Sequence, residues 1–177
     1  MSEGGAATIF RDNFAAAHAV AVRLGKSHRR LQGLFPISAA SLPELDDEGQ
    51  LAVDAFLKRF EQLVSAIQDT LFRGLAVLEG ESLAGRSTRD VAELLERLGA
   101  LSSSRRFGEI AVVRNRLAHL YPTDPERQAA NLNAAYEATP RLLATLDGIK
   151  DYATAKGRAD LSGFEPVGAA GGSATVP

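Results

Sequence analysis

The chain has 177 residues, a formal net charge of −2 and no cysteine. This length fits one domain with appendages, and the absence of cysteine excludes disulfides, thiolate metal sites and cysteine nucleophiles. No apolar run approaches the ~20 residues of a membrane span, and the N-terminus lacks the apolar core of a signal peptide, so a cytoplasmic protein is expected. Any attraction to nucleic acid must come from a local basic cluster, since the overall charge supplies no positive field.

The N-terminal part predicts one helix followed by a connecting insertion. Apolar residues three and four apart predict a helix over residues 6–24, with Gly25 as its stop. Residues 26–30, Lys-Ser-His-Arg-Arg, form a basic cluster that either touches phosphate or, more commonly, is a solvated face. Residues 32–47 carry prolines and acidic residues and predict a connection. We expect residues 1–47 to pack on the remaining helices.

The middle of the chain predicts a long helix and then a short one. Apolar residues recur at three and four residues through 48–79 with no internal proline. Ser87 or Thr88 is the predicted cap of the next helix, which ends near Gly99.

The C-terminal part predicts one more helical region and a tail. Thr123 or Asp124 is the candidate cap, with Pro125 at a favoured first position. Pro140 is predicted to kink or split this helix, because proline lacks an N–H and clashes with the preceding turn. Residues 157–177 are rich in Gly, Ala, Pro and Ser and predict a disordered tail. No segment alternates with a two-residue period, so the predicted fold is all-α, an antiparallel bundle of four to five helices.

Residues 107–122, Phe-Gly-Glu-Ile-Ala-Val-Val-Arg-Asn-Arg-Leu-Ala-His-Leu-Tyr-Pro, are the most informative stretch. Helical spacing predicts one buried stripe, and Pro122 must end the helix. The stripe consists of Ile110, Val113, Leu117 and Leu120. The same stretch contains four polar side chains that could take part in catalysis or binding, namely Arg114, Asn115, His119 and Tyr121.

Helical geometry separates two of these groups. Arg114 and His119 are five residues apart and diverge by roughly 140° on an ideal helix. Either the last turn unwinds near Tyr121, or a second copy of the helix completes the site. Arg105 and Arg106 precede Arg114 by about 12–14 Å of helix, a distance that suits a second phosphate and suits a surface pair equally well.

The pattern Arg, four residues, His, one residue, Tyr, opened by Arg114-Asn115, resembles the signature of the HEPN superfamily and most closely its HepT-like ribonuclease toxins. The resemblance covers residues 48–156. It implies a HEPN-like bundle and a metal-independent endoribonuclease that needs no cofactor. His119 would be the general acid or base, and Arg114 would stabilise charge on the phosphorane.

The resemblance also implies partners and supporting residues. Asn115 would orient His119 or bind a phosphate oxygen. A homodimer would bring two motif helices together, and a cognate nucleotidyltransferase antitoxin could transfer AMP onto Tyr121 to silence the toxin. Independently of the resemblance, the position of Arg105, Arg106 and Arg116 on the motif helix makes them weaker candidates for phosphate contacts.

Two other interpretations remain open at this point. The bundle could bind nucleotides or RNA without cleavage, as the partner of a nucleotidyltransferase. Alternatively, the chain could be an interaction bundle in which Arg114 and His119 only complement the dipole at a helix end.

Overall fold

Five helical rods make up the part of the chain that the computed structural model describes, residues 3–117 and 124–168. In chain order the elements are α1 (Glu3–Arg30), α2 (Asp47–Ser65), a π-helical segment (Ala66–Leu71) that continues α2 without a break into α3 (Phe72–Leu78), α4 (Thr88–Leu98), α5 (Ser104–Leu117) and α6 (Pro125–Ala155). These ranges contain no strand, which confirms the all-α prediction. None of the described helices is both long and apolar enough to cross a bilayer.

The rod formed by α2, the π-helical segment and α3 runs antiparallel to α1. Phe10, near the start of α1, lies so close to Gly74 of α3 that a Cβ there would be 3.0 Å from the phenyl ring. Ser27, near the end of α1, accepts a hydrogen bond from Arg59 of α2. The aromatic residues of α1 and α2 belong to the same buried core, so the N-terminal helix is a full member of the bundle.

The π-helical segment keeps one apolar stripe buried along this rod. Leu63, Ile67, Leu71 and Leu75 are all fully buried, although three successive four-residue steps would rotate the stripe by roughly 120° around an ideal α-helix. A π-helical turn takes up an extra residue and so removes about that rotation. The unusual turn is therefore a consequence of the spacing of the apolar residues.

The prediction that α1 stops at Gly25 is wrong, since the helix continues to Arg30. Gly25 is buried against α6, where a Cβ would lie 3.7 Å from a methyl of Leu143. The last turn of α1 carries three basic residues, His28, Arg29 and Arg30. Positive charge at this end interacts favourably with the helix dipole, whose C-terminal end is negative.

The insertion between α1 and α2 is attached to α6. Ile37 is buried, and its backbone N–H and C=O both pair with the amide of Asn133, at 2.8 and 2.9 Å. The ring of Phe35 stacks on that of Tyr136 with centroids 4.3 Å apart. These contacts fix residues 35–37 against α6.

α4 has the ends that its sequence predicts. Ser87 and Asp90 form a reciprocal capping box, and Gly99 takes the left-handed conformation just after the last turn. Both devices satisfy backbone groups that a helix end leaves without partners.

Of the two outcomes predicted for Pro140, a kink or a split of the last helix, the split is wrong. α6 is helical from Pro125 to Ala155 and includes Pro140. The carbonyl of Tyr136, which an amide at position 140 would normally bond, lies 3.2 Å from Nε2 of His28. A side chain from α1 thus replaces the hydrogen bond that proline cannot donate.

The prediction of a disordered tail from residue 157 is wrong for residues 157–168, which pack on the bundle. Leu161 and Val167 are buried. The carboxylate of Asp147 accepts hydrogen bonds from the amides of Val167 and Gly168, at 2.9 and 2.7 Å. Composition alone favoured disorder, but two apolar anchors and one carboxylate on α6 supply the missing contacts. Residues 169–177 lie outside the described part of the chain.

Candidate active site on helix α5

The structure describes only part of the predicted site. Arg114, Asn115 and Arg116 lie in the last turn of α5. His119 and Tyr121, together with the predicted helix end at Pro122, lie outside the described residues. The relative placement of Arg114 and His119 therefore stays a prediction.

α5 is set against α2 and α3 by its buried face. Phe107, Ile110 and Leu117 are buried, and the ring of Phe107 lies 4.7 Å from that of Phe72 on α3. Seven residues further along α5, Arg114 meets α2, so the two rods run antiparallel. Val113, predicted in the stripe, is only half-buried.

Arg114 lies on the same side of α5 as the buried residues. Ile110, Arg114 and Leu117 follow at four and three residues, which is one helical face. The side chain is half-buried as a result. This guanidinium points toward the neighbouring helix and not away into solvent.

The guanidinium of Arg114 is held by two neutral groups. Its Nη2 donates to Ser65 Oγ at 3.0 Å, and its Nη1 donates to Asn115 Oδ1 at 3.2 Å. None of the ion pairs among the described residues includes Arg114. The cation is oriented without being neutralised, which leaves its charge for an anionic ligand.

Ser65 is the member of the site that sequence reasoning missed. It is the last residue of α2, directly before the π-helical segment. The one related signal in the sequence is the run of four-residue steps that begins at Leu63, which fits the π-helical turn that follows Ser65. Turns of this kind are frequent at functional sites.

The other predicted phosphate contacts differ in their surroundings. Arg105 is exposed and lies 3.6 Å from Glu109, which also lies 3.8 Å from Arg141. Arg106 and Arg116 are exposed. Because Glu109 balances Arg105, that side chain is the weakest of the three for a phosphate.

A groove of about 610 Å³ lies between α4 and α5. Its wall on α5 includes Gly108 and Val112, and the side chain of Val112 is 47% exposed. Two ion pairs flank it, Arg89–Glu93 at 2.9 Å and Arg105–Glu109 at 3.6 Å. Gly108, Val112 and Asn115 share one helical face, and Gln68 of the π-helical segment also lines the groove.

No metal site is formed by the described residues: no three His, Cys, Asp or Glu side chains come together in residues 3–117 and 124–168.

The basic cluster at residues 26–30 is divided by the fold. Ser27 is buried and His28 packs under Tyr136, whereas Lys26 and Arg29 are exposed.

The described residues thus define an all-α bundle with a half-buried, uncompensated arginine on α5. Comparisons with family models, with curated proteins and with solved structures return no match for this chain.

Proposed function

We propose that the protein is a metal-independent endoribonuclease of the cytoplasm that acts as a homodimer, with Arg114 and His119 as its catalytic residues. The observation that supports this most directly is the state of Arg114. A residue that only caps a helix would point to the last carbonyls of its own helix or to water. Arg114 instead reaches across to α2 and is oriented by Ser65 and Asn115.

The reaction needs no nucleophile from the protein, because RNA supplies its 2′-hydroxyl. His119 accepts the proton of that hydroxyl, and the oxygen attacks the adjacent phosphorus. The bond from phosphorus to the 5′-oxygen breaks, and the protonated His119 returns its proton to the leaving oxygen. The products are a 2′,3′-cyclic phosphate, which water can open, and a 5′-hydroxyl end.

The proposed role of Arg114 is electrostatic stabilisation of the transition state. Negative charge builds on the phosphorane oxygens, and a planar, permanently charged guanidinium stabilises it better than a lysine. A cation that is oriented beforehand needs no reorganisation during the reaction. The exposed Asn115 keeps its amide N–H₂ for a phosphate oxygen or for His119, since its Oδ1 faces Arg114.

The direction in which Arg114 points supports the proposed homodimer. Arg114 faces α2, and a residue five positions later diverges by roughly 140° on an ideal helix. A two-fold axis beside α5 would let one subunit's arginine and its partner's histidine share a cleft. The exposed face of Gly108, Val112 and Asn115, beside the apolar groove, is the surface proposed to meet its copy.

A nucleotidyltransferase antitoxin is the proposed partner, on the strength of the motif resemblance. Transfer of AMP to the Tyr121 hydroxyl would add bulk and negative charge beside the motif. Both effects would oppose an RNA phosphate near Arg114. Mass spectrometry of the protein after co-expression with such an enzyme tests this part, and unmodified Tyr121 would contradict it.

RNA cleavage by the purified protein is the decisive experiment. Wild type should cut a mixed-sequence RNA in the presence of EDTA, and Arg114→Ala and His119→Ala should each be slower by about 10²–10³-fold. Arg97→Ala, an exposed arginine in the last turn of α4, is the matched control and should cut at the wild-type rate. RNA that stays intact with wild type would overturn the proposal. Binding without cleavage would instead support the nucleotide- or RNA-binding bundle.

A further inference from the structure

We infer that Ser65 is a positioning residue for Arg114, and that its hydroxyl aims the guanidinium while leaving its charge free for the RNA phosphate. This inference rests on the proposed function. Ser65 does not touch the reacting atoms in this scheme, because it acts through Arg114.

The first observation is the direction of the Ser65 hydroxyl. Three other helical hydroxyls, those of Thr8, Thr139 and Thr145, donate to the carbonyl four residues earlier, which is the usual local bond. Ser65 receives a hydrogen bond from the Nη2 of Arg114, 49 residues away in the chain. The hydroxyl is thus used to connect α2 and α5.

The second observation is the rigidity of the position. Val64 and Ile67, on either side of Ser65, are almost completely buried. The amide of Ala66 bonds to the carbonyls of Gln62 and Leu63, where the α-helix passes into the π-helical segment. A functional side chain is best oriented by groups on a rigid element, and the buried stripe makes this segment such an element.

The third observation is the chemistry of the contact. A carboxylate at this place would orient Arg114 equally well but would also neutralise it, which weakens its attraction to a phosphate. A hydroxyl accepts one N–H and carries no charge, and among the residues that the structure describes Asn115 is the other hydrogen-bond partner of the guanidinium. Serine therefore provides orientation without charge compensation.

Ser65→Ala, Ser65→Thr and Ser65→Asp test this role together. With Ala, kcat should fall about tenfold with little change in KM, because a group that acts in the transition state loses its orientation. Thr keeps the hydroxyl and should stay within about threefold of wild type. Asp should lose more activity than Ala, because it pairs with Arg114. Thr70→Ala removes an exposed hydroxyl from the π-helical segment and should change nothing.

A second measurement does not depend on catalysis. Nitrogen-15 NMR should show slow rotation of the Arg114 guanidinium in wild type and in Ser65→Thr, and faster rotation in Ser65→Ala. If wild type cleaves RNA and Ser65→Ala matches it in kcat, the role of Ser65 is overturned. If wild type leaves RNA intact while the rotation depends on Ser65, the nuclease is overturned and the orientation of Arg114 by Ser65 stands. Equal rotation in all variants overturns the inference.

Discussion

His28 on α1 and Tyr136 on α6 are joined in three ways. Nε2 of His28 lies 3.2 Å from the Tyr136 carbonyl oxygen, and the Tyr136 hydroxyl donates to the His28 carbonyl at 3.2 Å. Their rings stack with centroids 4.0 Å apart. Because a carbonyl oxygen only accepts, the Nε2 of His28 carries a proton and donates it. The accepting carbonyl is the one that Pro140 leaves without its helical N–H.

Because His28 donates to the carbonyl that Pro140 leaves without a donor, the effects of mutating these two residues on stability should be coupled. His28→Phe keeps a stacked ring but loses the donor, so it should lower the free energy of unfolding by about 1–2 kcal/mol. Pro140→Ala restores an amide for the Tyr136 carbonyl, and in that background His28→Phe should cost at least 1 kcal/mol less, an order-of-magnitude value for one hydrogen bond. Urea unfolding of the four proteins measures this. Equal costs in both backgrounds would show that the two residues act independently.

The same histidine makes stability depend on pH. Burial lowers the pKa of His28 below its ordinary 6.5, and Arg29 adds to this, although the hydrogen bond to Tyr136 opposes it. The unfolded chain then binds a proton at a higher pH than the folded protein does. The contribution of neutral His28 to the free energy of unfolding is therefore fully present above about pH 6.5. It falls as the pH drops from there toward the lowered pKa.

Urea unfolding at pH 7.5 and 5.5 should show this loss in wild type and a smaller one in His28→Phe. His18 and His119 are common to both proteins, so the difference isolates His28. A slope with pH that is the same in both proteins would contradict the assignment.

Local signals in the sequence were enough for some elements of the fold. Ser87, Asp90 and Gly99 specify α4 through contacts within a few residues, and such contacts can be predicted from spacing. The effect of Pro140 could not be predicted this way, because it depends on His28, whose Nε2 bonds a carbonyl 108 residues further along the chain.

In the candidate site, too, local features could be predicted from the sequence and tertiary contacts could not. The sequence predicted that Arg114 and Asn115 lie near the end of a helix, and both are in the last turn of α5. The direction of Arg114 toward Ser65 depends on how α5 packs on α2, which is a tertiary contact between residues 49 apart. The packed segment at 157–168 is a further example, since its composition resembles that of a linker while its anchors lie on α3 and α6.

Glu79 and Arg158 fasten that segment to the end of α3. The two N–H groups of Arg158 donate to the two carboxylate oxygens at 3.0 and 2.9 Å, and the Glu79 side chain is only 9% exposed. Glu79→Gln should lower the free energy of unfolding by about 1–2 kcal/mol at pH 7, because the paired, charge-assisted bonds become weaker.

The acid side of the stability profile should change as well. The hydrogen bond from Arg158 lowers the pKa of Glu79 below 4.5, so its contribution is present at neutral pH and disappears as the pH falls through the lowered pKa. Glu79→Gln should flatten that part of the profile in thermal unfolding. Glu93→Gln, which removes the acid of an exposed pair on α4, is the control and should cause no measurable change. A comparable loss in both variants would show that Glu79 has no special role.

The proposed homodimer depends on the exposed face of α5. Wild type should sediment as a dimer at micromolar concentration, and Val112→Asp should sediment as a monomer, because a carboxylate would be buried without a partner at the apolar groove. The control is Val77→Asp on α3, where the valine is 48% exposed, close to the 47% of Val112. It also lines a groove, about 180 Å³ in size, beside α1. If Val77→Asp separates the dimer and Val112→Asp does not, the subunits meet through α1 and α3. In that case the active-site cleft could not lie between the α5 helices of two subunits. A monomeric Val112→Asp protein that still cleaves RNA at the wild-type rate would also rule out a cleft shared between subunits.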